Sequence, residues 1–216
     1  MQTQLLLPLK HTSKYEGELV YGSCNADAVA WLERFPDWPI CFIHLWGPRF
    51  SGKTTLAKIY AEKLSGHLIH SNERDLETIP EDVPLIIDHA DGAHEETLFH
   101  LYNRAAFSKN PFVIFSEKPI TLWECHTADM SSRLQTFYEI ELKEPDDLTF
   151  RLLLLKELGG MGVQFSQAIL DLFLERGERS YAFIQAFIKH IEKDTLLKQK
   201  SITRGDALSF LAMQNN

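Results

Sequence analysis

One eight-residue run constrains this chain more than anything else in it. Gly47-Pro48-Arg49-Phe50-Ser51-Gly52-Lys53-Thr54 matches the pattern G-x-x-x-x-G-K-[ST] in full. It lies between a near-continuous apolar run, residues 40–46, and a stretch of helical spacing that reaches about Leu64. Strand, tight loop and helix in that order make an anion cradle. Small residues let backbone N–H groups turn inward, and the helix adds the positive end of its dipole. Lys53 reaches terminal phosphates and Thr54 offers a hydroxyl to Mg²⁺. The candidate nucleotide-binding residues of the run are Gly47, Pro48, Ser51, Gly52, Lys53, Thr54 and the following Thr55.

A second apolar run, Leu85-Ile86-Ile87-Asp88, ends in a carboxylate 34 residues after Thr54. An acid at that place holds Mg²⁺ through water, which makes Thr54 and Asp88 the candidate metal residues. The next residue is His89, where vigorous hydrolases carry an acid that polarises the attacking water. Slow intrinsic hydrolysis is therefore expected, with Asp91 as a substitute carboxylate.

The rest of the chain alternates and then stops alternating. Residues 25–34 read as a helix with Asn25 as N-cap, ended by Phe35-Pro36-Asp37-Trp38-Pro39. Further strands are expected at 68–69, 83–88, 111–115 and 138–142, with helices at 95–107 and 128–134 and an acidic loop at 73–82. From Glu144 onward only helical spacing remains, at 147–158, 166–176, 179–192 and 203–213, broken at Gly159-Gly160, at Gly177 and at 201–203. The expected fold is α/β: a five-stranded parallel sheet with helices on both faces, then a small all-helical lid. The expected division is residues 1–10 as a peptide, 11–143 as the nucleotide-binding core and 144–216 as the lid.

Composition removes several classes. The chain has 216 residues, 44% of them hydrophobic, enough for a packed core without disulfides. Cys24, Cys41 and Cys125 are too scattered for a zinc site, and the histidines pair with no cysteines. The net charge is −8, divided as −7 over 1–143 and −1 over 144–216, so neither part has a basic excess to grip duplex DNA. The start lacks a basic leader and no apolar run reaches the ~20 residues of a membrane span, so a cytoplasmic protein is expected.

Taken together, the phosphate loop, the Asp-ended strand, a fourth strand with a polar end at Phe115-Ser116-Glu117, an arginine before the fifth strand and a four-helix tail resemble an AAA+ ATPase. Within these, the chain is similar to the replication initiator DnaA and more closely to the shorter Hda family, of the alphaproteobacterial (HdaA) type. The likeness covers nearly the whole chain. It rests on residues 4–9, on Val20-Tyr21-Gly22 with Asn25, on the loop, on Leu101-Tyr102-Asn103-Arg104, on Asp129-Met130-Ser131-Ser132-Arg133-Leu134, and on Glu178-Arg179-Ser180. Trp31-Leu32-Glu33-Arg34-Phe35-Pro36-Asp37-Trp38-Pro39 is similar to the alphaproteobacterial branch.

The resemblance implies roles. Arg133 would be a catalytic arginine finger acting in trans on a partner's nucleotide; read without it, Arg133 is a surface arginine pairing with Asp129 at i, i+4. Arg179 would touch the phosphates of the chain's own nucleotide; the plainer reading balances it against Glu175 or Glu178. Ser116 falls at the first-sensor position, and Val20, Tyr21 and Gly22 would line an adenine pocket, with a β-like turn as the plainer reading. The cofactors implied are ADP or ATP with Mg²⁺.

Gln4-Leu5-Leu6-Leu7-Pro8-Leu9 resembles the Hda peptide that binds the sliding clamp, the beta subunit of DNA polymerase III, with Leu6 departing from the usual third residue. As a ligand it is well made. Leu5, Leu7 and Leu9 fill apolar pockets, Gln4 supplies an amide, and Pro8 keeps the chain extended. The alternative is an edge strand packed on the protein's own body.

The function this implies is a clamp-bound adaptor that promotes hydrolysis of ATP on DnaA and so turns off initiation. DNA is then reached only through the clamp; homo-oligomers through the same AAA+ surface stay possible, and no membrane is involved. Only six residues follow Phe210, where an initiator would continue into a DNA-binding domain. The competing readings are a self-contained ATPase, against which His89 argues, and a DnaA-like initiation or loading factor, against which the charge argues.

Overall fold

The computed structural model describes residues 19–71, 79–163, 165–195 and 202–214. The peptide at 4–9 and most of the acidic loop at 73–82 lie outside them.

Five strands form one parallel sheet: β1 (Phe42–Trp46), β2 (His67–His70), β3 (Leu85–Asp88), β4 (Phe112–Ser116) and β5 (Tyr138–Glu141), in the order β2-β3-β4-β1-β5. β3 and β4 are buried at every residue, as strands covered on both faces must be. One face packs Ile43, Leu45, Val113, Phe115 and Ile140 against α1 (Ala26–Glu33) and α2 (Lys53–Leu64). The other packs Ile69, Leu85, Ile87, Phe112 and Ile114 against α3 (Glu95–Ser108) and α4 (Ala128–Leu134). β1, β3 and β4 all end at one edge, where open parallel sheets bind their ligands.

The lid has a core of its own. α5 (Asp147–Gly160), α6 (Gln167–Arg176), α7 (Tyr181–Thr195) and α8 (Arg204–Gln214) close around Phe150, Phe173, Phe183, Phe187 and Phe210. The rings meet mostly edge to face, with centroids 4.5 Å apart for Phe173–Phe187 and 5.2 Å for Phe183–Phe210.

Three expectations change at element ends. α5 runs through Gly159-Gly160 and stops at Met161, and the left-handed residue is Gly162 at φ +65°. Both earlier glycines face open space, so nothing forces the chain to turn there. α7 starts at Tyr181, not at 179, because Ser180 Oγ accepts the Phe183 N–H (3.1 Å) and caps the helix. Asn25 precedes α1 but makes no capping bond. Its Oδ1 accepts the Gly22 N–H (3.1 Å) and its Nδ2 donates to Val20 O (2.8 Å), so it folds back on the segment before it.

That segment also joins core to lid. Ser23 Oγ donates to Asp146 Oδ2 (2.6 Å), and Tyr181 OH donates to Cys24 Sγ (3.2 Å). A Cβ at Gly22 would sit 2.0 Å from Thr149 Oγ1, so only glycine fits between the two units.

Candidate functional site

The phosphate loop leaves β1 with Gly47, whose N–H donates to Ser116 O (3.2 Å) and whose missing Cβ would meet Leu142 O at 2.4 Å. Gly52 takes φ +86° at the start of α2, a conformation glycine adopts without cost. Lys53 is buried, and its Nζ donates to Gly47 O (2.8 Å) and Pro48 O (2.7 Å). Burial pushes its ammonium down from the ordinary lysine range, while Glu117, Asp91 and Asp88 pull it back up. The Ser51 hydroxyl is buried inside the loop and has no hydrogen-bond partner among the described residues. A buried polar group without a partner is costly. Here it lies in a loop that also presents an ammonium and a helix N-terminus, so the cradle fits an anion.

Thr54 Oγ1 donates to Asp88 Oδ2 (2.7 Å), which brings the two candidate metal residues into contact. Hydroxyl and carboxylate oxygens are the donors Mg²⁺ takes. His89 N donates to Asp88 Oδ1 (3.1 Å), and the His89 ring lies 3.7 Å from Asp88 Oδ2 on a backbone at φ +57°. Two further carboxylates border this end. Asp91 Oδ2 accepts the Glu117 N–H (3.1 Å), and Glu117 Oε1 pairs with Arg49 Nε (3.1 Å).

Val20 and Tyr21 follow Leu19 in the segment before α1, where the Val20 carbonyl accepts from Asn25 Nδ2. Their neighbour Leu19 reaches to 3.2 Å from where a Gly52 Cβ would stand. Thr55 follows in the first turn of α2. Gly47, Pro48, Ser51, Gly52, Lys53, Thr54, Thr55 and Asp88 thus form one constellation, which the segment before α1 approaches through Leu19.

The two candidate arginines are held elsewhere. Arg133 sits on α4 and folds onto its own helix and α3. Its Nε and Nη2 donate to the two Asp129 carboxylate oxygens (3.2 Å each), its Nη1 donates to Asn103 Oδ1, and its guanidinium lies 4.3 Å from the Phe99 ring. Arg179 bonds neither Glu175 nor Glu178 through any described contact. It pairs with Asp147, donates to the carbonyls of Phe173, Leu174 and Gly177, and lies 5.4 Å from the Phe150 ring. It closes the C-terminal end of α6, where carbonyls lack intrahelical donors.

Solved structures share this architecture. The chain superposes on domain III of the replication initiation protein DnaA from Thermotoga maritima with a TM-score of 0.69 and 18% identity, over 94% of this chain and 97% of that one. AMPPCP-bound DnaA from Aquifex aeolicus gives 0.62 and 18%, over 84% of this chain and 66% of that one. A Thermotoga maritima RuvB mutant gives 0.62 and 18%, over 89% and 68%. The fold is the AAA+ fold. No family model matches the sequence, and no curated protein matches it. The chain spans about two thirds of the longer DnaA and RuvB chains.

This AAA+ core carries contacts that sequence reasoning did not single out. Lys189 on α7 brings its ammonium to 5.9 Å from the Phe50 ring, so a lid residue reaches the tip of the phosphate loop. His44, fully buried in β1, bonds Ser116 and Glu139. A histidine inside an otherwise apolar strand is the one sequence signal that marks it. Glu95, at the first turn of α3, receives the N–H groups of His126 and Thr127 and the Thr127 hydroxyl, which lower its pKa to about 2. Among the described residues no helix is long and apolar enough to cross a membrane.

Proposed function

We propose that this AAA+ protein binds ADP or ATP with Mg²⁺ at the 47–54 loop and acts as an adaptor. Held on the DNA polymerase III sliding clamp by Gln4, Leu5, Leu7, Pro8 and Leu9, it promotes hydrolysis of ATP bound to DnaA and so restrains replication initiation. The observation that carries the nucleotide reading is the orphaned Ser51 hydroxyl beside the buried Lys53 ammonium in a glycine-walled loop. Support for the replication context is the likeness to DnaA, one structure of which holds AMPPCP. The clamp and finger assignments rest on the sequence resemblance alone.

Each residue then has a task. The loop N–H groups and Lys53 bind and orient the phosphates, Thr54 and Asp88 hold the metal through oxygen, and Val20 and Tyr21 flank the base. Mg²⁺ held there would supply charge neutralisation for the phosphates. Arg133 leaves Asp129 and enters the partner's site, where a guanidinium stabilises charge developing on the transferred phosphoryl, an effect worth about 10³–10⁵ in rate for arginine fingers.

A second reading, a self-contained ATPase, draws on Asp91 and Glu117, which place carboxylates around Lys53 in place of the acid missing at His89. One experiment separates the two: ATP hydrolysis by DnaA with and without this protein and DNA-loaded clamp. The adaptor requires stimulation that Arg133→Ala abolishes while clamp binding persists. Turnover by the protein alone, indifferent to clamp and DnaA, selects the second reading.

A further inference from the structure

The most unusual polar group in the sheet is His44. It lies in the middle of β1, fully buried, where both neighbours in the strand, Ile43 and Leu45, serve the apolar core. Its Nε2 is 2.6 Å from Ser116 Oγ at the end of β4, and its Nδ1 is 2.8 Å from Glu139 Oε1 on β5. The three side chains therefore bridge three adjacent strands beneath the nucleotide edge. Burial pushes the His44 pKa down, and the Glu139 carboxylate beside it pulls it back up. The single Ser116 hydroxyl proton goes to Lys118 O, so Nε2–H donates to Ser116 Oγ, and Nδ1 shares a proton with the Glu139 carboxylate.

Serine, histidine and acid in line form the arrangement of a hydrolytic triad. Here it cannot serve as one. Ser116 has no exposed surface, and the residues that follow it are bonded over the triad. Ser116 Oγ also lies 2.7 Å from Lys118 O, Glu139 Oε1 accepts the Ile120 N–H (2.8 Å), and Trp123 Nε1 donates to Lys118 O (3.0 Å) while its ring meets His44 edge-on. All these bonds hold one segment, residues 117–127.

That segment joins the nucleotide end to Arg133. At its start, Glu117 is bonded to Asp91, three residues past Asp88, and paired with Arg49 of the phosphate loop. At its end it enters α4, which carries Arg133, with Thr127 capping the helix and Glu95 holding His126 and Thr127. Beneath it lies a cavity of about 410 Å³ lined by Asp91, Glu95, Trp123 and Met130 among others. A strap bonded at both ends over open space has room to shift as one piece.

We propose that His44 is a positioning residue: through Ser116 and Glu139 it fixes segment 117–127 as a strap that relays nucleotide occupancy from Asp91 and Arg49 to α4 and Arg133. This rests on the nucleotide reading of the 47–54 loop. His44 touches no nucleotide in this scheme. It supplies the rigid floor against which a change at Glu117 becomes a displacement of the strap instead of being absorbed locally.

The test is amide hydrogen exchange of the full chain with and without Mg·ATP. In the unsubstituted protein, nucleotide changes exchange in the phosphate loop and also across 118–134, by about tenfold in the strap. Ser116→Ala, which removes one hydroxyl and little volume, keeps the loop response and loses the strap response; His44→Phe does the same. Glu139→Gln retains an acceptor for His44 and for the Ile120 N–H, and so preserves the strap response, whereas Glu139→Ala does not. A strap response undiminished in folded Ser116→Ala overturns the relay. A strap response lost equally in Glu139→Gln and Glu139→Ala overturns it too, since packing alone would then explain the effect. If nucleotide alters exchange nowhere in the unsubstituted protein, the binding reading itself has failed, an outcome distinct from either.

Discussion

The phosphate loop and the two arginines are built in opposite ways. The loop holds a surplus: Ser51 has a buried hydroxyl without a described partner, and the Lys53 ammonium makes do with two backbone carbonyls. The arginines hold none. Arg133 is shared among Asp129, Asn103 and the Phe99 ring, and Arg179 among Asp147, three carbonyls and the Phe150 ring. A site with unspent donors is ready for an anion as it stands. A guanidinium already saturated must exchange partners before it can act elsewhere, so its work is conditional on something that releases it. For Arg133 the release is modest, because the Asp129 pair is exposed and such pairs contribute about 0–1 kcal/mol.

The sharpest way to break this contrast is at Lys53. Lys53→Ala removes the one ammonium in the cradle, and nucleotide affinity measured by fluorescence titration falls by at least about 100-fold, the scale of a charged hydrogen-bond donor lost from a water-poor site. The melting temperature without nucleotide changes little or rises, since burial of Lys53 already opposes its charge. Unchanged affinity would mean the loop is no cradle and the contrast is false.

Arg179 gives the next largest effect, and on a different readout. Arg179→Ala leaves the carbonyls of Phe173, Leu174 and Gly177 without this donor at the end of α6, and stability in urea falls by about 1–2 kcal/mol. Its melting curve shifts whether or not nucleotide is present. A variant that melts normally and loses only nucleotide affinity would place Arg179 with the loop and not with Arg133.

How much of this was legible depends on how local the cause is. The phosphate loop and the Asp88 strand were readable because the pattern, the preceding apolar run and the following helix occupy one contiguous stretch. The central strands β3 and β4 were the most readable, because parallel strands buried on both faces are near-continuously apolar. The Arg133–Asp129 pair was readable too, since i, i+4 spacing on a helix makes neighbours. What could not be read were bonds set by tertiary register. His44 and Glu139 lie 95 residues apart and meet only because β1 and β5 pair with His44 opposite Glu139. The start of α7 was misplaced by two residues because Ser180 supplies the cap, and hydrophobic spacing carries no mark of that choice.

Glu95 offers the smallest effect and the finest comparison, because it ties the helix bearing Arg133 to α3 without touching Arg133. Hydrogen bonds from Thr127 and His126 depress its pKa to about 2, well below the ordinary glutamate range. A carboxylate depressed in the folded state stabilises it above the unfolded pKa, and that contribution is lost as pH falls through the folded pKa. The anchor at the start of α4 therefore persists through mildly acidic conditions and fails only toward pH 2. The measurement is the chemical shift of the His126 and Thr127 amide protons during acid titration. Both move together with a midpoint near 2, and Glu95→Gln flattens both curves while leaving the fold intact near neutral pH. A midpoint in the ordinary glutamate range would show that these bonds are not kept in solution. α4 would then be free at its first turn, and the restraint on Arg133 would reduce to Asp129, Asn103 and the ring beneath it.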